Sequence, residues 1–267
     1  MMKPGKLDDG RHLMGNGQQG LEIVAVDTDQ MRVVGQTAAI DTRIDFAGSH
    51  LFAAAKFSQL AEDLEINNVG GFSSEPFFRE IMSYVSASQI TAAAALESYI
   101  NELFIDRSAY FPEYTASGTE RLWEELRRLI ERRDRVLDKY DRALALKDKK
   151  PFAKDKQSPD YHHYRAACLL IDVRNELVHF KPQWASETRT HAPIAQRLLK
   201  IPIAVSPFRT NTPPSFPTDF MSHDMARWAV KTAWNFIEAF SQRAGLPNKY
   251  AFMVNDINPG YPIWPVP

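Results

Sequence analysis

Arg174-Asn175-Glu176-Leu177-Val178-His179 puts a permanent cation, a carboxamide and an imidazole within about one and a half turns of an expected helix. Arginine grips phosphate through a planar fork of donors, and histidine is the side chain that trades protons near neutral pH. Together they are the minimum kit for metal-free cleavage of RNA: one residue holds the phosphodiester and the other moves a proton. The competing reading is a surface arginine beside a histidine that serves the helix dipole.

The helix that carries these residues is expected over residues 160–181, stopped by Pro182, because the residue before a proline avoids the α region. Tyr164, Ala167, Cys168, Ile171, Asn175 and Val178 share one stripe of it, and Leu169, Leu170, Val173 and Leu177 share another. A helix apolar on two sides needs two neighbours, of which one is the rest of the domain and the other a candidate second subunit. Asn175 falls inside an apolar stripe, where an unpaired carboxamide costs about 1–3 kcal/mol, so a partner is expected for it, either inside the protein or across an interface. Arg174 and His179 stand roughly 140° apart around the axis and about 7.5 Å along it, too far to close on one phosphate from a single helix. A two-fold axis would bring two arginines and two histidines into one cleft, so a catalytic site here calls for a homodimer through this helix.

The rest of the chain bounds what can surround that helix. Its 267 residues, 44% hydrophobic and 24% charged, suit a globular protein with one large core. A net charge of -1 removes any general case for nucleic-acid binding, so a basic footprint must be local. The single cysteine, Cys168, allows no internal disulfide. No run approaches the roughly 20 apolar residues of a membrane span, and the expectation is a cytoplasmic protein without a membrane partner.

Residues 1–20 read as a flexible tail. Residues 21–45 read as a β-hairpin appendage, with β-branched runs at 21–26 and 31–34 around Asp27-Thr28-Asp29. Long helical periods follow at 49–66, 76–104, 119–146 and 160–181, then one short helix at 192–200 and a last long one at 218–244 ending at Gly245. Twelve of the seventeen prolines lie after residue 181, so the connections there are expected to be irregular. The fold class is all-α, a bundle of four to five long helices over residues 46–246, with a Pro-rich extended strap at 247–267 that packs through Tyr250, Phe252, Tyr261 and Trp264.

With that architecture, the chain resembles the HEPN superfamily of helical domains, whose nuclease members carry Arg, four to six residues, then His, often with a polar residue directly after the Arg. Arg174-Asn175 followed by His179 fits the four-residue spacing, and Ala95-Leu96-Glu97-Ser98-Tyr99-Ile100-Asn101-Glu102-Leu103-Phe104 resembles the family's earlier core helix. The likeness covers roughly residues 50–245. It implies a dimeric, metal-independent and cofactor-free endoribonuclease, frequently in toxin–antitoxin or antiviral defence with an antitoxin or other regulatory protein. By the same likeness, His179 serves the 2′-OH or the leaving oxygen, Arg174 stabilises the phosphorane, and the products are a 2′,3′-cyclic phosphate and a 5′-hydroxyl. Asn175 orients the histidine or donates to phosphate. Silent members act as binding modules, and that is the alternative here. One departure is plain: members silenced by nucleotidylation carry a tyrosine two residues after the His, where this chain has Lys181.

Glu97 and Asn101, one turn apart on an apolar helix, are expected to pair with each other or to buttress the Arg174–Asn175 turn. Arg128, Arg132, Arg135 and Lys181 are candidate RNA-backbone contacts, although mixed charge at these spacings more often marks a solvated helix face. Trp228 and Trp234 read as core. His162-His163 and His223-Asp224 lack a ligand set at metal spacing, so no metal site is expected.

Overall fold

Small residues set how closely the helices approach. Ala47, Gly48, Ala54, Ala55 and Ala61 on one segment and Ala92, Ala93 and Ala95 on another are all buried, which lets two backbones lie side by side without bulky spacers. These segments are α1 (Phe46–Asn67) and α2 (Glu75–Ile105) in a computed structural model that describes residues 29–34, 39–68, 75–133, 135–182, 191–206 and 214–257. Ser88 of α2 donates to the Ala54 carbonyl at 2.9 Å and to the Ala226 carbonyl at 3.3 Å, so a single hydroxyl joins α2 to α1 and to the last long helix.

The chain divides into two units, Met1–Ile44 and Asp45–Pro267. In the first, β1 (Asp29–Val34) pairs antiparallel with β2 (Ala39–Ile44), Asp29 opposite Ile44 and Val34 opposite Ala39. The run at 21–26, read above as the first strand of a hairpin, lies outside the described residues, as does the tail at 1–20.

The second unit is α-helical. After α2 come a one-turn helix α3 (Arg107–Tyr110), α4 (Glu120–Arg133), α5 (Val136–Leu146), α6 (Tyr161–Val178), α7 (Ala192–Leu198) and α8 (His223–Ala244). α1, α2 and α8 pack on one another, and α6 lies against α2 and α8. Tyr99, Tyr140, Phe236 and Phe240 form the aromatic centre of one core cluster. Within it Tyr140 donates to the Leu96 carbonyl at 2.7 Å, and Tyr99 shares a hydrogen bond with Ser241 at 2.9 Å, so each buried hydroxyl is satisfied. A second cluster gathers Ile81, Val85, Leu169, Val173, Leu198, Phe220 and Met225.

Three expectations need correction. The helix read as continuous over 119–146 is two helices: Arg135 adopts an extended backbone (φ −67°, ψ 161°), and its N–H is taken by the Asp138 carboxylate at 3.3 Å, which restarts the chain as α5. α8 begins at His223, three residues after the end of a short turn at Thr218–Phe220, because Ser222 caps it by accepting the Met225 N–H. It ends at Gly245, whose φ of 67° is the left-handed conformation a helix terminus favours. The segment after 247, expected as an extended strap, forms short helical turns at Ala251–Met253 and in α9 (Val254–Ile257); Tyr250 is buried and Phe252 exposed, while Tyr261 and Trp264 lie outside the described residues.

Those turns are held by a buried charge network. Glu102 accepts the Ala47 N–H at 2.8 Å, one of the donors a helix start leaves unbonded, and the Tyr250 hydroxyl at 2.7 Å. Lys249 stands between the carboxylates, bonding Asp45 and reaching Glu102 at 3.1 Å. Gly48 completes the joint, since a Cβ there would meet the Tyr250 ring at 2.7 Å.

Candidate functional site

α6 sits in both core clusters. Ala167 and Leu170 enter the first, with Tyr164, Cys168 and Ile171 packed against it, and Leu169 and Val173 enter the second with Leu177 beside them. Its two apolar stripes are therefore covered within one chain as far as Ile171. Beyond that point the first stripe leaves its neighbours. Asn175 is exposed, so the apolar stripe does not bury its carboxamide within one chain. Val178 follows at 51% exposure.

The helix also ends earlier than the proline alone predicts. Val178 is its last residue, and His179 is the cap, with φ −105°, ψ 29° and its N–H on the Asn175 carbonyl at 2.9 Å. The Lys181 carbonyl is drawn instead to His191 Nε2 at 3.2 Å. His179 and Lys181 are both exposed, and Phe180 beside them is 39% exposed.

The two seams of α6 meet different neighbours. Arg174 faces α2, where its Nη2 stands 3.7 Å from Glu97 Oε2, the arginine 25% and the glutamate 45% exposed. Asn101 is not part of that pair; its Oδ1 accepts from Lys139 Nζ at 2.9 Å, which satisfies a lysine buried on α5. On the other seam, Asp172 pairs with Arg197 of α7 at 2.6 Å, and Glu176 pairs with His191 at 2.8 Å. Arg174 is thus on the α2 side of the helix, and the acidic Asp172 and Glu176 are on the side of α7 and His191.

The remaining basic candidates stand apart from α6 in the chain. Arg128 bonds Glu124 one turn away at 3.3 Å, and the Arg121–Glu125 pair repeats the pattern, as on a solvated face. Arg132 lies within α4, its side chain outside the described residues; Arg135 is the exposed cap of α5.

Other groups with reactive chemistry are quenched by their surroundings. Burial pushes the Cys168 thiol up to about 11, so it carries little thiolate near neutrality. Burial, reinforced by the neighbouring His162 ring, lowers His163 to about 4 and keeps it uncharged. His223 is raised by the hydrogen bond of its Nδ1 to the Glu65 carboxylate, against the opposing effect of burial. Glu65 also accepts the His223 N–H at 2.8 Å, so this pair fastens the start of α8 to α1. Among the described residues no group of three or more His, Cys, Asp or Glu is placed to hold a metal ion, and no helix is long and apolar enough to cross a membrane.

Sequence reasoning missed His191, Glu65, Glu102 and Lys249. Each makes its key bond to a residue distant in sequence, and none carries a local pattern; the one available signal was a histidine directly before the Ala192 helix, at a cap position. Comparison with protein-family models, with curated proteins and with solved structures found no match.

Proposed function

We propose that the protein is a HEPN-like, metal-independent endoribonuclease whose site forms when two copies join through the C-terminal end of α6. The observation that carries this reading is the exposure of Asn175 and His179 together, with Arg174 partly open, on a helix end flanked by the exposed apolar side chains of Val178 and Phe180. Exposed apolar surface beside unspent donors is what a protein contact with a polar centre requires. In the joined pair, His179 of one copy takes the 2′-OH proton or protonates the leaving 5′-oxygen, while Arg174 steadies the charge on the phosphorane. Asn175 orients the imidazole or donates to a phosphate oxygen. Such an enzyme needs restraint, which fits a toxin–antitoxin or phage-defence setting with a regulatory protein as partner.

The second reading is a catalytically silent HEPN-like module that binds a protein or a nucleotide. The Arg174–Glu97 pair favours it, because a carboxylate already occupies part of the arginine's fork. One experiment separates the two. Purified protein and a His179→Ala version are incubated with mixed tRNA and mRNA in EDTA, and the RNA ends are analysed. Cleavage by the wild type alone, with cyclic-phosphate ends, supports the nuclease; intact RNA beside a folded dimer supports the silent module.

A further inference from the structure

We infer that His191 is a positioning residue for His179, bracketing it from both sides; the inference rests on the reading of His179 as the proton-transfer group. His179 is the last-turn cap of α6, and a cap residue takes its direction from the chain on either side of it. Both sides are held by one ring, which donates from both nitrogens as the imidazolium because a carboxylate and a carbonyl only accept. Nδ1 of His191 meets Glu176 Oε2 at 2.8 Å, three residues before His179, and Nε2 meets the Lys181 carbonyl at 3.2 Å, two residues after it. The ring also stacks on Phe180, with centroids 4.8 Å apart and planes 12° from parallel.

The base of this bracket is rigid. His191 is only 2% exposed and precedes α7, whose Ile194, Ala195 and Leu198 are buried in the second core cluster. The Arg197–Asp172 pair fastens the same short helix to α6 one turn earlier. An exposed chain end would otherwise sample many directions, and catalysis is sensitive to displacements of about 1 Å. A buried histidine whose two nitrogens and ring face are all engaged, each with a group within three residues of one exposed histidine, is built to hold that residue's backbone.

The test reads the His179 ring directly as well as the reaction. Proton–carbon spectra of ring-labelled protein at fixed pH give the His179 cross-peak, assigned by its loss in His179→Gln. His191→Phe keeps the stacking and removes both hydrogen bonds; Glu176→Ala removes one, and Glu176→Gln keeps an acceptor. His191→Phe and Glu176→Ala are expected to move the His179 cross-peak and to lower kcat for RNA cleavage about tenfold to hundredfold, with KM unchanged within about twofold, and Glu176→Gln to restore both. Should His191→Phe fail to fold, the two variants of half-exposed Glu176 decide the matter. An unmoved His179 cross-peak in folded Glu176→Ala overturns the bracket. Intact RNA with the wild type overturns the nuclease reading alone, because the cross-peak still reports whether the bracket holds.

Discussion

Two helix ends in this molecule carry charge, and they use it in opposite ways. At the start of α1, Asp45, Glu102, Lys249 and Tyr250 are packed into the protein and bonded to one another, so their charge is consumed in holding the fold. At the end of α6, Asn175 and His179 are exposed, and Arg174 is partly open beside Glu97 in one long ion pair. A buried charge must be paired because desolvation is costly, whereas an exposed one keeps its hydrogen-bonding capacity for a ligand. The contrast separates charge used in the fold from charge left open to a ligand.

That contrast can be broken by substitution. The largest effect is expected from His179→Ala, which should lower RNA cleavage by roughly 10²–10⁴-fold while leaving the urea midpoint nearly unchanged. A fall in stability of similar size to that in the buried network would place His179 with the structural charges. Glu102→Ala is the mirror case: it strands the Ala47 N–H and the Tyr250 hydroxyl and leaves Lys249 with Asp45 alone, and a loss of about 3–5 kcal/mol is expected in urea titration. Gly48→Ala drives a methyl into the Tyr250 ring and should cost about 1–3 kcal/mol by the same measurement.

The Glu65–His223 pair sharpens the comparison through pH. His223 is raised above its ordinary 6.5 in the folded protein, so its contribution to stability is fully present below that value and is lost as pH rises through the higher folded one. Stability should therefore fall less steeply in Glu65→Gln than in the wild type as pH rises above about 6.5. The smallest effect belongs to Glu97→Gln. An exposed pair at 3.7 Å contributes about 0–1 kcal/mol, so stability should barely move, while release of Arg174 should tighten RNA binding in a filter assay.

Much of the helical order was legible because apolar spacing, Pro182 and Gly245 are local signals. The break at 134–135 was not, since charged residues run continuously through it and only the Asp138 bond to the Arg135 backbone marks the restart. The exposure of Asn175 was hidden for a different reason: periodicity assigns a face to a residue but does not say where the neighbouring helices stop. The motif itself could be read from six consecutive residues. Its neighbours could not, since His191 reaches back 15 residues to Glu176 and Lys249 reaches 204 residues to Asp45.

That last span has a consequence for how the chain is made. A ribosome delivers Asp45 and Glu102 before Lys249, which lies 204 residues after Asp45, so the two carboxylates precede their cation. Of the four residues of that network, Lys249 and Tyr250 are made last, and the joint between α1 and α2 receives its ammonium and its phenol only then.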